Sequence, residues 1–131
     1  MAKSRAHIDK AKRNEELLKE APFSRADYPD WCITINFYAA VHWIRAFLAL
    51  HGVGVNHEIP YDDFNRELGK IGRTTGVNVQ GVIEEFDELK GFSKNARYKC
   101  LSFHMYHDQL ADAEKSLEVV KAFVTNHGII P

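Results

Sequence analysis

A cationic segment without carboxylates lies between Glu88 and Asp108. Basic side chains and aromatic rings alternate along it: Lys90, Phe92, Lys94, Arg97, Tyr98, Lys99, Phe103, His104, Tyr106 and His107. Arginine and lysine bind phosphate groups, while aromatic rings stack on nucleic-acid bases. The segment therefore predicts a contact with a nucleotide or RNA. The alternative is that its rings belong to the core while its cations face water.

Arg97 and His104 are the candidate catalytic pair within this segment. An arginine stabilises phosphate charge, and a histidine exchanges a proton near neutral pH. Together they are the smallest set of catalytic groups that can cleave RNA through its 2′-hydroxyl. An Arg and a His at this spacing occur by chance in many chains, so it is their place in a carboxylate-free segment that favours the pair.

Four polar side chains share one face of the otherwise apolar stretch from Pro29 to His51. They are Thr34, Tyr38, His42 and Arg45. At about 100° per residue they fall within a sector about 80° wide, as one wall of a polar site or as a rim where a buried helix meets water. We expect the cationic segment to fold beside this face and form a shared anion pocket. The candidate phosphate-binding residues are Tyr38, His42, Arg45, Lys94 and Lys99.

A metal site is the third chemical hypothesis. His104, His107 and Asp108 have the i, i+3, i+4 spacing of a metal-binding helix face. Two imidazoles and one carboxylate would hold zinc or iron with an open coordination position. No matching ligand set elsewhere in the sequence is compelling, so no cofactor is expected.

The totals predict one soluble domain of 131 residues. Apolar residues make up 45% and charged residues 27%, which is ordinary for a globular protein. The net charge of −1 gives no general attraction to nucleic acid, so such binding requires a local patch. Two cysteines without CxxC spacing, no apolar leader and no uninterrupted apolar run of about 18 residues predict a cytoplasmic protein without a membrane span.

Apolar periodicity predicts four long helices and one short helix. Their ranges are 4–21, 29–51, 60–68 for the short helix, about 77–90, and a last helix with a seam from Phe103 to Val124 that Gly128 ends. Gly69 is predicted to end the short helix, residues 69–76 to form a flexible loop, and Gly91 to end the third long helix. The apolar seam of the last helix comprises Phe103, Tyr106, Leu110, Ala113, Leu117, Val120 and Val124. The predicted fold is an all-α, up-and-down four-helix bundle with a short extra helix between the second and third long helices.

Three segments resemble the HEPN superfamily, the higher eukaryotes and prokaryotes nucleotide-binding domains. Asn36 to Gly52 (NFYAAVHWIRAFLALHG) is similar to the second helix of that family, with its Tyr-Ala-Ala core. Leu89 to Cys100 (LKGFSKNARYKC) is similar to the basic connection before the last helix, and Asp112 to Val124 (DAEKSLEVVKAFV) to the closing helix. The likeness extends from about residue 6 to residue 125.

The resemblance implies a helical bundle that commonly dimerises and works in nucleotide or RNA chemistry. In the ribonuclease branch an Arg is followed by a His after four to six residues, and Arg97 and His104 are separated by six. A polar residue often follows that Arg, whereas this chain has Tyr98. At this position the chain is more similar to a second branch, in which the Arg precedes an Ala-Asp-Tyr-like turn. Members of that branch need not be nucleases.

The leading hypothesis is a nucleotide- or RNA-binding, HEPN-like homodimer, with a metal-independent endoribonuclease of a toxin–antitoxin pair as its enzymatic form. In that form Arg97 holds the scissile phosphate and His104 is the general acid or base, at sites where two subunits meet. The second hypothesis is a non-catalytic interaction module that partners a minimal nucleotidyltransferase. The third is the small metal-binding helical protein.

Overall fold

The computed structural model describes residues 2–20 and 25–128 of the chain. Within these ranges the regular secondary structure consists of five α-helices and one 3-10 turn, Tyr61–Asp63, with no strand. The helices are α1 (Ala2–Leu17), α2 (Pro29–Leu50), α3 (Phe64–Thr75), α4 (Gln80–Tyr98) and α5 (Phe103–Asn126). The predicted all-α class is confirmed.

The centre of the fold is α2. The helices α1, α4 and α5 each pack extensively against it, and α4 also packs against α5. Sixteen of the 22 residues of α2 are buried. A helix that is apolar on nearly all sides needs several neighbours to cover it, and α2 has three.

Both ends of α2 follow from its sequence. Pro29 occupies the first turn, where its missing N–H has no intrahelical partner to lose. At the other end Gly52 has a φ of +78°. The Val53 N–H donates to the Leu48 carbonyl at 2.9 Å and the Gly52 N–H to the Ala49 carbonyl at 3.1 Å. This pair of bonds is a Schellman motif, which glycine favours because it adopts positive φ without strain.

The length and composition of α2 are also those of a helix able to cross a membrane. The mean hydropathy of its most apolar window is 1.3, and 67% of that window is buried inside the protein. Its apolar side chains therefore already have protein neighbours, as in the core helix of a globular domain.

The predicted helix limits are wrong at three places. First, α1 ends at Leu17 and residues 18–20 form a turn, while the predicted end at residue 21 lies outside the described residues. Second, α3 continues through Gly69 to Thr75, so that residues 69–75 are helical rather than a loop. Third, α4 continues through Gly91 to Tyr98.

Packing explains why α4 continues through Gly91. A Cβ built on Gly91 meets no atom within 4 Å, so this residue lies on an open side of α4. Its weak helix propensity costs about 1 kcal/mol relative to alanine. Leu89 and Ser93 on the same helix are completely buried, and their packing offsets that cost. The helix α3 ends at Gly76, whose φ is +79°.

The apolar seam of α5 is confirmed except at its first position. Tyr106, Leu110, Ala113, Leu117, Val120 and Val124 are all buried. Phe103 is 56% exposed, because it lies in the first turn of α5, beyond the region that α2 and α4 cover. The helix begins after Ser102, whose hydroxyl accepts a hydrogen bond from the Met105 N–H at 3.2 Å.

Replacing Leu117 with alanine tests this seam. Leu117 is 4% exposed, so truncation leaves a cavity and should lower the free energy of unfolding by about 2–5 kcal/mol. Val119→Ala, at a position on the same helix that is 42% exposed, should change it by less than about 1 kcal/mol. Urea unfolding followed by circular dichroism measures both. Equal unfolding midpoints for the two variants would contradict the seam.

Candidate functional site

One face of α2 remains partly open to solvent. Trp31, Thr34, Tyr38 and His42 follow one another at spacings of three and four residues, so they lie along this face. Trp31 is 56% exposed and Tyr38 is 37% exposed, unlike the other aromatic residues of this helix, which are completely buried. The face is bordered by α4, which contacts it at Tyr38, and by α1, which contacts it at His42.

Arg97 lies beside Tyr38 on this face. Its Nη1 donates a hydrogen bond to the Tyr38 hydroxyl at 3.3 Å, and its Nε donates to the Ser93 carbonyl at 3.4 Å. The guanidinium carbon lies 5.9 Å from the ring centre of Tyr38 and 5.1 Å from that of Tyr98. Such cation–π contacts orient the planar group. These bonds use only some of the five N–H donors of the guanidinium, so others remain for a ligand.

A cleft opens next to this guanidinium between α2 and α4. It has a volume of about 280 Å³ and is lined by Asp30, Trp31, Thr34, Ala96 and Arg97. One side offers a broad aromatic ring, and the other offers a cation. The Asp30 carboxylate lies at the same end and can accept a hydrogen bond from an N–H donor, but it disfavours an anion there.

Lys94 and Lys99 both have exposed side chains. In the part of the chain that the structure describes, no ion pair involves either of them. Lys94 is one turn before Arg97 on α4, and Lys99 directly follows the helix. Both cations are therefore available to an anionic ligand at the carboxyl end of α4.

The connection from α4 to α5 is fixed by Tyr106. Its hydroxyl donates to the Lys99 carbonyl and accepts a hydrogen bond from the Leu101 N–H at 3.1 Å. The Asn95 carbonyl lies 3.2 Å from the same oxygen. One buried side chain thus holds the backbone around Tyr98 and Lys99 in place.

Arg45 has a different environment from Arg97. Its Nη2 donates to the Ile59 carbonyl at 3.2 Å, its Nη1 lies 3.9 Å from the Glu58 carboxylate, and its guanidinium lies 5.7 Å from the Phe64 ring centre. The side chain is only 18% exposed. Arg45 therefore fastens the segment before α3 onto α2 through its two Nη atoms, while its buried Nε has no hydrogen-bond partner among the described residues.

His42 contacts α1 rather than the cationic segment. Its Nδ1 lies 2.9 Å from the Nδ1 of His7, and the two rings are stacked with centroids 5.2 Å apart. Burial, with smaller contributions from nearby groups that include Arg45, lowers the pKa of each histidine to about 4. Both rings are therefore neutral at pH 7, so the Nδ1–H of one ring donates a hydrogen bond to the unprotonated Nδ1 of the other.

His104 lies on the solvent side of α5. Its side chain is 86% exposed, and its Nε2 lies 3.5 Å from the Asp108 carboxylate one turn later. The described residues show no contact between His104 and Arg97. Within one chain the two candidate catalytic groups therefore have separate neighbours.

The proposed metal face is also divided. His107 points to the Ala26 carbonyl, 3.1 Å from its Nε2, and its ring packs against Phe103. Among the described residues, no group of three or more His, Cys, Asp or Glu side chains is arranged to hold a metal ion.

Two residues of this region were not among the sequence candidates. Trp31 is an exposed tryptophan two helical turns before Tyr38, and its spacing of seven residues is a signal that identifies it. His7 is the second member of the histidine pair, but no sequence signal brings residues 35 positions apart together.

Comparison of the chain with protein-family models, with curated proteins and with solved structures gave no match.

The histidine pair predicts that stability depends on pH. Between pH 6.5 and about 4 the unfolded chain binds protons at His7 and His42 that the folded chain does not bind. The contribution of the two neutral histidines to the free energy of unfolding is therefore fully present above pH 6.5 and falls as the pH decreases towards 4. After allowance for solvent screening, we expect the loss to be about 1–2 kcal/mol.

Urea midpoints measured across this pH range check the effect. The double variant His7→Gln/His42→Gln should have a flatter profile than the wild-type protein. His104→Gln, which replaces an exposed histidine outside the pair, is the matched control. An unchanged slope in the double variant would contradict the assignment.

Proposed function

We propose that this chain is a HEPN-like nucleotide- or RNA-binding protein whose ligand lies on the open face of α2. The observation that carries the proposal is Arg97, held between aromatic rings beside a cleft that an exposed tryptophan lines. In this arrangement the guanidinium binds a phosphate and Trp31 stacks on a base. Asp30 accepts a hydrogen bond from the edge of that base, while its charge directs the phosphate towards Arg97.

The exposed rings support this proposal. Trp31, Tyr38 and Tyr98 are 56%, 37% and 75% exposed, although all three are large enough to fill a core. Aromatic rings grouped around a cation are typical of surfaces that bind unpaired nucleotides, because every base offers a face for stacking. The exposed Lys94 and Lys99 add positive charge close by, which a protein with a net charge of −1 requires locally.

We extend the proposal to the arrangement of the helices and to the location and assembly of the protein. The helices α1, α2, α4 and α5 form an up-and-down bundle, and the protein is cytoplasmic and homodimeric. In the enzymatic form, His104 of a second subunit acts as the general acid or base on a phosphate that Arg97 holds. A dimeric site is consistent with the separate surroundings of Arg97 and His104 within one chain.

Two substitutions test the binding site. Trp31→Ala should weaken single-stranded RNA binding by about fivefold to 150-fold, the loss of about 1–3 kcal/mol for one stacked base. Arg97→Ala removes the phosphate contact and should weaken it by at least about tenfold. Filter binding with radiolabelled RNA, supported by calorimetric titration with nucleotides, measures both.

The matched controls are Val119→Ala and Arg73→Ala, which change an exposed valine of α5 and an exposed arginine of α3. Both should bind RNA as the wild-type protein does, and circular dichroism verifies that all four variants are folded. Wild-type affinity in Trp31→Ala and Arg97→Ala would overturn the proposed function. Such a result would favour the interaction module that partners a nucleotidyltransferase.

Cleavage requires a separate test. We expect the wild-type protein to cut RNA in the presence of EDTA, and Arg97→Ala and His104→Ala each to lower the rate by at least about a hundredfold. Gel analysis of labelled RNA after timed incubation measures the rates. Intact RNA with the wild-type protein, or equal rates for all three proteins, would remove the nuclease form without affecting the binding proposal.

A further inference from the structure

A second cleft opens on the other side of the same α2 face. It has a volume of about 420 Å³ and is lined by Lys10, Arg13, Asn14 and Leu17 of α1 and by His42 of α2. His42 follows Tyr38 by one helical turn, so this cleft continues the exposed face beyond the Tyr38–Arg97 contact. From Trp31 to His42 the face extends about 16 Å at 1.5 Å per residue, longer than one nucleotide.

The charge at this second cleft is positive. Lys10 and Arg13 are both exposed, and no ion pair among the described residues involves either of them. Of the three carboxylates of α1, Asp9 pairs with Arg5 at 3.5 Å and Glu15 pairs with Lys121 at 2.9 Å, while Glu16 lies one turn after Arg13. Two exposed cations that form no ion pair among the described residues, beside a neutral histidine and an asparagine, form a surface suited to a phosphate.

We propose that the α1 cleft binds a second phosphate of the same ligand, so that the open face of α2 holds a single-stranded polynucleotide rather than one nucleotide. This inference rests on the proposed function, since it assumes that Arg97 holds the first phosphate. The strand lies along α2 with a cation at each side: Arg97 of α4 near one end, and Lys10 and Arg13 of α1 near the other. Trp31 and Tyr38 lie along the same face and provide rings on which bases stack.

The strand must be unpaired. Stacking on Trp31 and Tyr38 requires bases whose faces are accessible, and in a duplex these faces are covered by neighbouring base pairs. His42 is also part of the histidine pair, so its neutral ring adds hydrogen-bonding capacity here without adding charge. The affinity of this cleft therefore depends on Lys10 and Arg13.

The experiment compares two probes, a single-stranded RNA of about eight nucleotides and a nucleoside monophosphate. The double variant Lys10→Glu/Arg13→Glu should bind the RNA at least about tenfold more weakly and lower the slope of log affinity on log salt by about one. Its affinity for the monophosphate should remain that of the wild-type protein. Arg97→Ala should weaken binding of both probes.

The matched control is Lys12→Glu/Lys115→Glu. Lys12 is about 200° around α1 from Lys10, and Lys115 is on α5, so the same change of net charge falls away from the cleft. This control should bind both probes with affinities close to those of the wild-type protein. Circular dichroism melting curves verify that all variants are folded.

The outcomes separate the two proposals. RNA affinity that is equal in the double variant and in its control overturns the second phosphate site and leaves the proposed function in place. The second site is also overturned if the wild-type protein binds the RNA and the nucleoside monophosphate with equal affinity. If Arg97→Ala binds both probes as tightly as the wild-type protein does, the proposed function itself is overturned. If a polyglutamate peptide of the same length competes as effectively as RNA, the cleft is assigned to an acidic peptide. That result overturns the proposal of a polynucleotide ligand.

Discussion

The burial of α2 is the constraint on which the other elements of the fold depend. Because its surface is apolar on nearly all sides, three long helices must pack against it, and its polar groups must find partners inside the protein. Asn36 donates to the Cys32 carbonyl at 2.8 Å, and the Trp43 indole donates to Glu15 at 3.0 Å. With α1, α4 and α5 on three sides, the face that contains Trp31 and Tyr38 stays partly exposed to solvent among the described residues.

Much of the fold could be predicted from the sequence, because α2 and α5 have long and regular apolar patterns. Two of the three wrong helix limits lie at glycines that the local pattern marks as helix ends, and the third is the end of α1. Gly69 and Gly91 have weak helix propensity, but neighbouring apolar side chains of α3 and α4 are buried, and that packing outweighs the local cost. Burial of this kind depends on contacts between helices, which a propensity argument does not contain.

The site could be predicted only in part. The proximity of Arg97 to Tyr38 is observed, since a cationic segment entering α5 and a polar stripe on α2 meet at one end of the fold. The surroundings of His42 and Arg45 were not predictable, because their partners, His7 and Ile59, belong to segments with no matching signal. His104 illustrates the same limit: its spacing from Arg97 says nothing about which side of α5 faces water.

The two tryptophans of the chain have opposite environments. Trp43 is completely buried, whereas Trp31 is 56% exposed on the open face of α2. Their intrinsic fluorescence should therefore differ, with a blue-shifted emission from Trp43 and a red-shifted, readily quenched emission from Trp31. The protein thus contains two built-in optical reporters: one responds to the integrity of the core, and the other to whatever covers the α2 face.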